Sequence, residues 1–374
     1  MYVNPAQKFV TYAAYYTNAF ARESIRDIER LTRPMPQGQA YWSEVAQRVK
    51  FVVFAVFSIP LAVALFIPSA TCYLIAAAAG RGGFEFIGPK SSGQPVVPEQ
   101  IDVKVVSLNA NLQDPWSPFS GGTVPPFEPV ADCASRIAAI VKEIAKEQPD
   151  VFLGQEMENL GAQDEFNRLM RQEGFSYFIR DLGSDEPVRN SSGTFAALKA
   201  PPKDIQFIPY PAQDRSGLAK WCRQGALACT IHGLRLVDVH LNYGDKEEDQ
   251  KSRNRQLKHH VVPLLKGSPA VAFGDLNCDT SKIDRVAAGL EGFRNAFEGQ
   301  TTCTDAGKHA LRGKISSPGG QACTDCDERI DGLIYDPNQV EVVNSSVKQL
   351  CFGRQFLSDH FMTVATVRIR KQIY

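Results

Sequence analysis

Acids, amides and an imidazole recur at strand ends along this sequence. The clearest instance is AVAFGDLNCD, residues 270–279. Its apolar run, Ala270 to Phe273, predicts a buried strand that stops at Gly274. In extended geometry Asp275 and Asn277 then share a face, because side chains alternate with period two. A carboxylate beside a carboxamide at a strand end suits the joint positioning of a water and a phosphoryl oxygen. Asn109 ends VKVVSLN, Glu156 follows DVFLGQ, His240 closes LRLVDVH, and Asp359 and His360 lie in FLSDH. Asp331, within RIDGLIY, is a further position of this kind. Each alone reads as a turn former or a half-buried histidine. The set, a strand followed by a polar group and repeated along one chain, resists that reading.

The types fit phosphoryl chemistry. A phosphodiester resists attack because its oxygens are anionic, and Asn109, Asn277 and His240 are donors that offset charge on those oxygens. A hard divalent cation prefers oxygen ligands and keeps several waters. Glu156 with amide and water support therefore suffices for Mg²⁺, with Mn²⁺ as the alternative. The attacking water needs orientation and a base, for which Asp275 and His360 both qualify. Asp331 is the carboxylate expected to fix the tautomer of His360.

Positioning these groups takes an alternating α/β chain. Strand patterns cover 103–111, 150–155, 176–181, 194–200 and 204–211. A hairpin about Gly233 joins GALACTI to LRLVDVH, and further strands follow at 329–335, 340–349 and 361–370. Helices are expected over 131–148, where Ile137, Ile140, Val141 and Ile144 keep helical spacing, and over 162–173, 246–266 and 281–290. The Pro/Gly loop 111–130 carries Trp116 and Phe119, and loops of that length are often functional. The alternation from Ile101 onward, without an internal repeat, argues for one α/β domain over 101–374.

The 374 residues carry 41 Lys+Arg and 41 Asp+Glu, so the chain lacks the basic excess of an electrostatic nucleic-acid binder, and no stable nucleic-acid partner is expected. Nine cysteines in no repeating frame argue for a reducing compartment rather than a disulfide scaffold. Residues 1–50 form an amphipathic region in which Arg22, Arg26 and Arg30 fall at helical spacing among Glu23, Asp27 and Glu29. That pattern is a solvated helical face or an interfacial membrane helix. Phe51 to Ala79 holds no charged residue. As a helix it would be about 43 Å long against a hydrocarbon core of about 30 Å, so 51–80 is read as a hydrophobic membrane segment. Pro60 and Pro68 within it allow a kinked span or a re-entrant hairpin. Residues 81–100, rich in Gly, Pro and Ser, read as a linker. Cys303, His309, Cys323 and Cys326 include one pair at zinc-like spacing, while the other end matches no familiar finger.

SLNAN, LGQEM, DVHLN, GDLN, RID and SDH, in that order and spacing, resemble the motif series of the endonuclease/exonuclease/phosphatase superfamily, the DNase-I-like fold. The resemblance covers about residues 101–370. It implies a four-layer α/β sandwich of two packed mixed β-sheets flanked by helices, here preceded by the N-terminal hydrophobic membrane segment. It also implies that Asn109 and Glu156 bind Mg²⁺, with Asp359 in the metal site. By the same resemblance His240 and Asn277 hold the scissile phosphate, Asp275 positions or deprotonates the water, and His360 works with Asp331 on the phosphate. VAFGDLNCDT, ERIDGLIY, FLSDHFMTVATVRI and QGALACTIHG are similar to the membrane-attached neutral sphingomyelinases. That likeness implies a membrane phospholipid substrate, with sphingomyelin split to ceramide and phosphocholine, at a membrane and with the catalytic domain facing the cytosol. The sequence departs from that branch in three ways. The branch's Asp/Lys switch is represented by Asp214 and an early Lys220, with Arg223 and Gln224 near the usual lysine position. The long insertion within the catalytic domain is missing, and there is one clear hydrophobic segment instead of two. A membrane-tethered nuclease, a phosphoinositide phosphatase and an inactive scaffold are the competing readings.

Overall fold

The structure is a computed structural model. It describes residues 84–89, 102–112, 130–183, 191–216, 219, 222–279, 281, 283–303, 328–352 and 355–370. Two sheets are packed face to face. The first contains β1 (Glu85–Ile87), β2 (Asp102–Asn109), β3 (Val151–Gln155), β4 (Tyr177–Arg180), β5 (Phe195–Leu198), β12 (Val340–Lys348) and β15 (Met362–Ile369), in the order β1-β4-β5-β3-β2-β15-β12. The second contains β6 (Lys203–Pro209), β7 (Gly225–Ile231), β8 (Leu234–His240), β9 (Ala270–Asp275), β10 (Arg294–Asn295) and β11 (Asp331–Tyr335), in the order β10-β11-β9-β8-β7-β6. Each is mixed: β2 and β3 pair parallel, as do β8 and β9, and the other pairs within these two sheets are antiparallel. A short hairpin of β13 (Cys351–Phe352) and β14 (Gln355–Phe356) stands apart.

The period-two pattern explains the layering. In β2, Val103 and Val105 face the second sheet, while Val106 and Leu108 face helices α1 (Val130–Lys146) and α2 (Leu160–Gln172). In β9, Val271 and Phe273 meet the first sheet, while Ala270 and Ala272 turn outward to Leu257, Val261 and Leu265. Strands buried on both faces read as continuous apolar runs, which is how these two appear in the sequence. The outer helix of the second sheet is α3 (Glu247–Gln256), continued by a π-helical stretch, Leu257–Val261, and a last turn, Val262–Leu265. The π stretch falls where Pro263 lacks the N–H that an α-helix would need. Helix, sheet, sheet and helix make the four-layer sandwich.

Several expectations need correction. Strand β9 does not stop at Gly274 but runs through Asp275, with Gly274 at φ 145°. The helix expected over 281–290 is a single turn, closed by an Ala288 N to Asp284 O bond and ended by Gly289 at φ 70°. Within the stretch read as linker, Glu85–Ile87 forms β1 and pairs antiparallel with β4. Glu85 reaches the fully buried Arg180 at 2.7 Å, and Asp164 meets the same guanidinium at 2.5 Å. No helix among the described residues is long and apolar enough to cross a membrane. The apolar run 51–79, the region 1–50, Trp116, Phe119, Lys220, His309, Cys323 and Cys326 lie outside the described residues.

Candidate active site

Strand direction brings the polar groups to one end of both sheets. Asn109 and Gln155 are in register at the ends of the parallel strands β2 and β3, and Glu156 comes next. His240 and Asp275 are likewise paired at the ends of β8 and β9. Asp331 opens the antiparallel β11 directly opposite Asp275. Asp359 and His360 precede β15, which runs antiparallel to β2, so they arrive beside the end of β2.

Asp275 is the hub. Its Oδ2 accepts from Asn109 Nδ2 at 3.0 Å, across the gap between the sheets. The same oxygen lies 3.6 Å from His240 Nε2 and 3.8 Å from His360 Nε2. His240 Nε2 is also 4.0 Å from Glu156 Oε1. His360 Nδ1 meets Asp331 Oδ2 at 2.9 Å, a contact that holds the imidazole ring in place. The Thr302 hydroxyl supports Asp331 in turn: its oxygen accepts from the Asp331 amide at 2.9 Å, and it bonds the carboxylate. Ser358 Oγ donates to Asn109 O at 2.5 Å and accepts from the His360 amide at 3.2 Å, locking the SDH turn onto β2.

Asn277 is adjacent to this hub, but not for the reason of strand alternation. It sits at φ 51°, past the end of β9, and its amide N–H donates to Asp275 Oδ1 at 2.7 Å. Its side chain donates to Leu241 O at 3.0 Å, the residue after His240. Asp359 lies on the Glu156 side of the cluster, and its Oδ1 accepts from Asn111 Nδ2 at 3.2 Å. Glu156 is itself at φ 55° and bonds the Asn109 side chain. Non-glycine residues in this region carry strain and cluster at functional sites. All eight residues singled out from the sequence fall in this neighbourhood.

Burial shapes the electrostatics. It pushes the Glu156 carboxyl up, His240 pulls it back and the Asp359 charge raises it further. Burial likewise raises Asp331, to about 6, against the pull of His360. For His360 burial acts downward, but the charges of Asp331, Cys303 and Asp275 outweigh it and hold the imidazole well above its ordinary value. A buried acid crowded by other acids is a site that a cation would relieve. Among the described residues, two groups have ligand atoms within 4.8 Å of one another: Glu156, His240 and Asp275, and Asp275, Asp331 and His360. The oxygen-rich side, with Asn109, Glu156 and Asp359, fits a hard divalent ion. Cys303 is buried and bridged to His360 through backbone pairing. Asp214, matched in sequence to a switch acid, is engaged elsewhere, with His260 at 2.8 Å and Arg255 at 3.2 Å. Sequence reasoning passed over Thr302 and Ser358, whose types carry no chemical signal of their own.

Solved structures share this arrangement of sheets. A beta toxin from Staphylococcus aureus superposes with a TM-score of 0.51 at 17% identity, covering 71% of this chain and 99% of the toxin. A mutant of that toxin with bound magnesium ions gives 0.50, at 17% identity and the same two coverages, 71% and 99%. TDP2 from D. rerio, complexed with a single-strand DNA product, gives 0.50 at 15% identity, covering 71% and 98%. No family model matches the chain, and no curated protein sequence does. The chain shares its fold, a DNase-I-like α/β sandwich, with these structures.

Proposed function

We propose that this protein is a membrane-attached, Mg²⁺-dependent phosphodiesterase that removes a phospholipid headgroup, with sphingomyelin split to ceramide and phosphocholine. The observation that carries the reading is Asp275, shared by His240, His360 and Asn109 at the joined ends of two sheets. Residues 101–374 would form the catalytic domain, 51–80 the membrane segment and 1–50 an amphipathic region, with the catalytic domain at the cytosolic face. Asn109, Glu156 and Asp359 would hold Mg²⁺, which when bound neutralises charge on the phosphoryl oxygens.

His240 and the side-chain carboxamide of Asn277, through the N–H not given to Leu241 O, hold the phosphate by donating to its oxygens. Asp275 orients the water and takes its proton as the new O–P bond forms. The bond from phosphorus to the ceramide oxygen breaks, and that oxygen receives the proton carried by His360. The 2.9 Å contact with Asp331 supports a protonated His360, which leaves Asp275 as the base. Anchoring suits such a substrate, because the scissile bond lies at the lipid surface and tethering raises its effective concentration.

A tethered nuclease is the second reading, since a structure of like fold holds a DNA product. Equal numbers of basic and acidic residues count against it. The test is headgroup release from mixed liposomes by the full chain, with Mg²⁺ and then with chelator. Sphingomyelin, phosphatidylcholine and single-stranded DNA are offered in parallel, with Asp275→Ala as the blank. Metal-dependent phosphocholine release from sphingomyelin alone is the expected result. DNA cleavage without lipid turnover would leave the metal site and overturn the substrate.

A further inference from the structure

One step below the reacting groups lies a second polar link between the sheets. Gln155 Nε2 donates to Asp238 Oδ1 at 2.6 Å, from β3 to β8. Ser107 Oγ on β2 lies 3.2 Å from the same amide nitrogen and 3.4 Å from Gln155 Oε1. Gln155 and Asp238 are fully buried and Ser107 nearly so. The backbone amides of Phe195 and Val239 also face the Asp238 carboxyl, Phe195 from the first sheet and Val239 from the second. Around this link the core between the sheets is aliphatic and aromatic. Gly274 leaves room for it: a Cβ there would run into Val239 O and lie 3.0 Å from Gln155 Nε2 and 3.2 Å from Asp238 Oδ1.

The link is placed one or two residues behind the groups that meet across the gap. Gln155 precedes Glu156, Asp238 lies two before His240, and Gly274 precedes Asp275. Apolar packing is non-directional, so it holds two sheets together without fixing how far one slides along the other. A hydrogen bond with 2.6 Å geometry fixes that offset. Glu156 belongs to one sheet and His240 and Asp275 to the other, so their mutual spacing depends on it. Burial holds the Asp238 carboxyl well above the usual carboxylate range, which limits the cost of placing an acid here.

We infer that Gln155 and Asp238 are positioning residues: their inter-sheet bond sets the distance between Glu156 and the His240–Asp275 pair, and so the metal and phosphate geometry. The inference rests on the phosphodiesterase reading for its kinetic arm but not for its binding arm.

Three full-chain variants test it. Asp238→Leu removes the acceptor of one Gln155 N–H, leaving the amide only its contact with Ser107 Oγ, and lowers the melting temperature. Adding Gln155→Met removes the orphaned N–H and recovers stability relative to the single variant without restoring the directional bond. Asp238→Asn retains an acceptor for Gln155. The double variant is expected to melt above Asp238→Leu while kcat falls about 10²-fold below the wild type, a loss typical of a 1 Å misplacement. Its Mg²⁺ affinity by calorimetry falls by about tenfold or more. Asp238→Asn keeps both. A double variant with recovered stability and unchanged Mg²⁺ affinity and kcat would overturn the inference, since a purely structural bond predicts that recovery. Wild-type Mg²⁺ binding without lipid turnover would sink the proposed reaction alone, and the affinity arm would still decide. Absence of Mg²⁺ binding by the wild type would remove the metal site and this inference together.

Discussion

His360 sits between two carboxylates, 2.9 Å from Asp331 and 3.8 Å from Asp275. Only Asp331 bonds it, and that bond determines which ring nitrogen faces the reacting groups. Asp331→Asn keeps the shape but places an amide where an ionised acceptor stood. It is expected to lower kcat by about 10²–10⁴-fold at an unchanged melting temperature, read by paired kinetics and thermal melts. Asp275→Ala and His360→Ala are each expected to abolish turnover with the fold intact, and near-wild-type activity in either would remove this site. The site acids and histidines were legible because their types are scarce at the ends of apolar runs. Asn277 was legible by type only. Its orientation follows from a left-handed backbone at φ 51°, which a period-two argument does not describe. Thr302 and Ser358 were not legible at all, since hydroxyl residues are common in turns and only the tertiary fold brings them to Asp331 and Asn109.

At the scale of elements, the longer strands from β2 onward and the long helices were readable from apolar runs and period, while the short β1, β10, β13 and β14 were not. Ile137, Ile140, Val141 and Ile144 all enter the core that the helical spacing assigned to them. The helix over 281–290 failed because propensity there is overruled by glycine. Gly289 at φ 70° ends the turn, and Val286, apolar and at helical spacing, is 69% exposed. Gly274 is the opposite case, a glycine that a strand passes through rather than stops at. Its φ of 145° and the closeness of Val239 O exclude a side chain. Gly274→Ala is expected to destabilise by about 1–3 kcal/mol, from the denaturant midpoint. Gly292, at φ 85° with nothing within 4 Å of an added Cβ, serves as the control. Gly292→Ala should cost only the backbone term of about 1–2 kcal/mol, without a clash. Equal losses at the two positions would mean that β9 relaxes around the methyl group.

At the scale of the whole molecule, β1 changes where the two-sheet body begins. Glu85 holds the fully buried Arg180 at 2.7 Å, so a fragment starting at residue 101 loses that ion pair. Relative to a fragment of residues 84–374, it is expected to lose about 1–3 kcal/mol, seen as a melting temperature lower by roughly 3–10 °C. The longer fragment then isolates the role of the N-terminal apolar run. Every group assigned to the chemistry lies between Asn109 and His360, so hydrolysis of a small soluble phosphodiester should match the full chain within experimental error. Hydrolysis of sphingomyelin in vesicles should instead fall by about 10²-fold or more, because the fragment must find the surface from solution at each encounter. Equal rates on vesicles would mean that the uncharged run from Phe51 to Ala79 contributes nothing to substrate access. A parallel loss on both substrates would mean that the run supports the fold of the catalytic body rather than its attachment. Only the split between soluble and vesicular substrate supports a membrane segment that works by proximity.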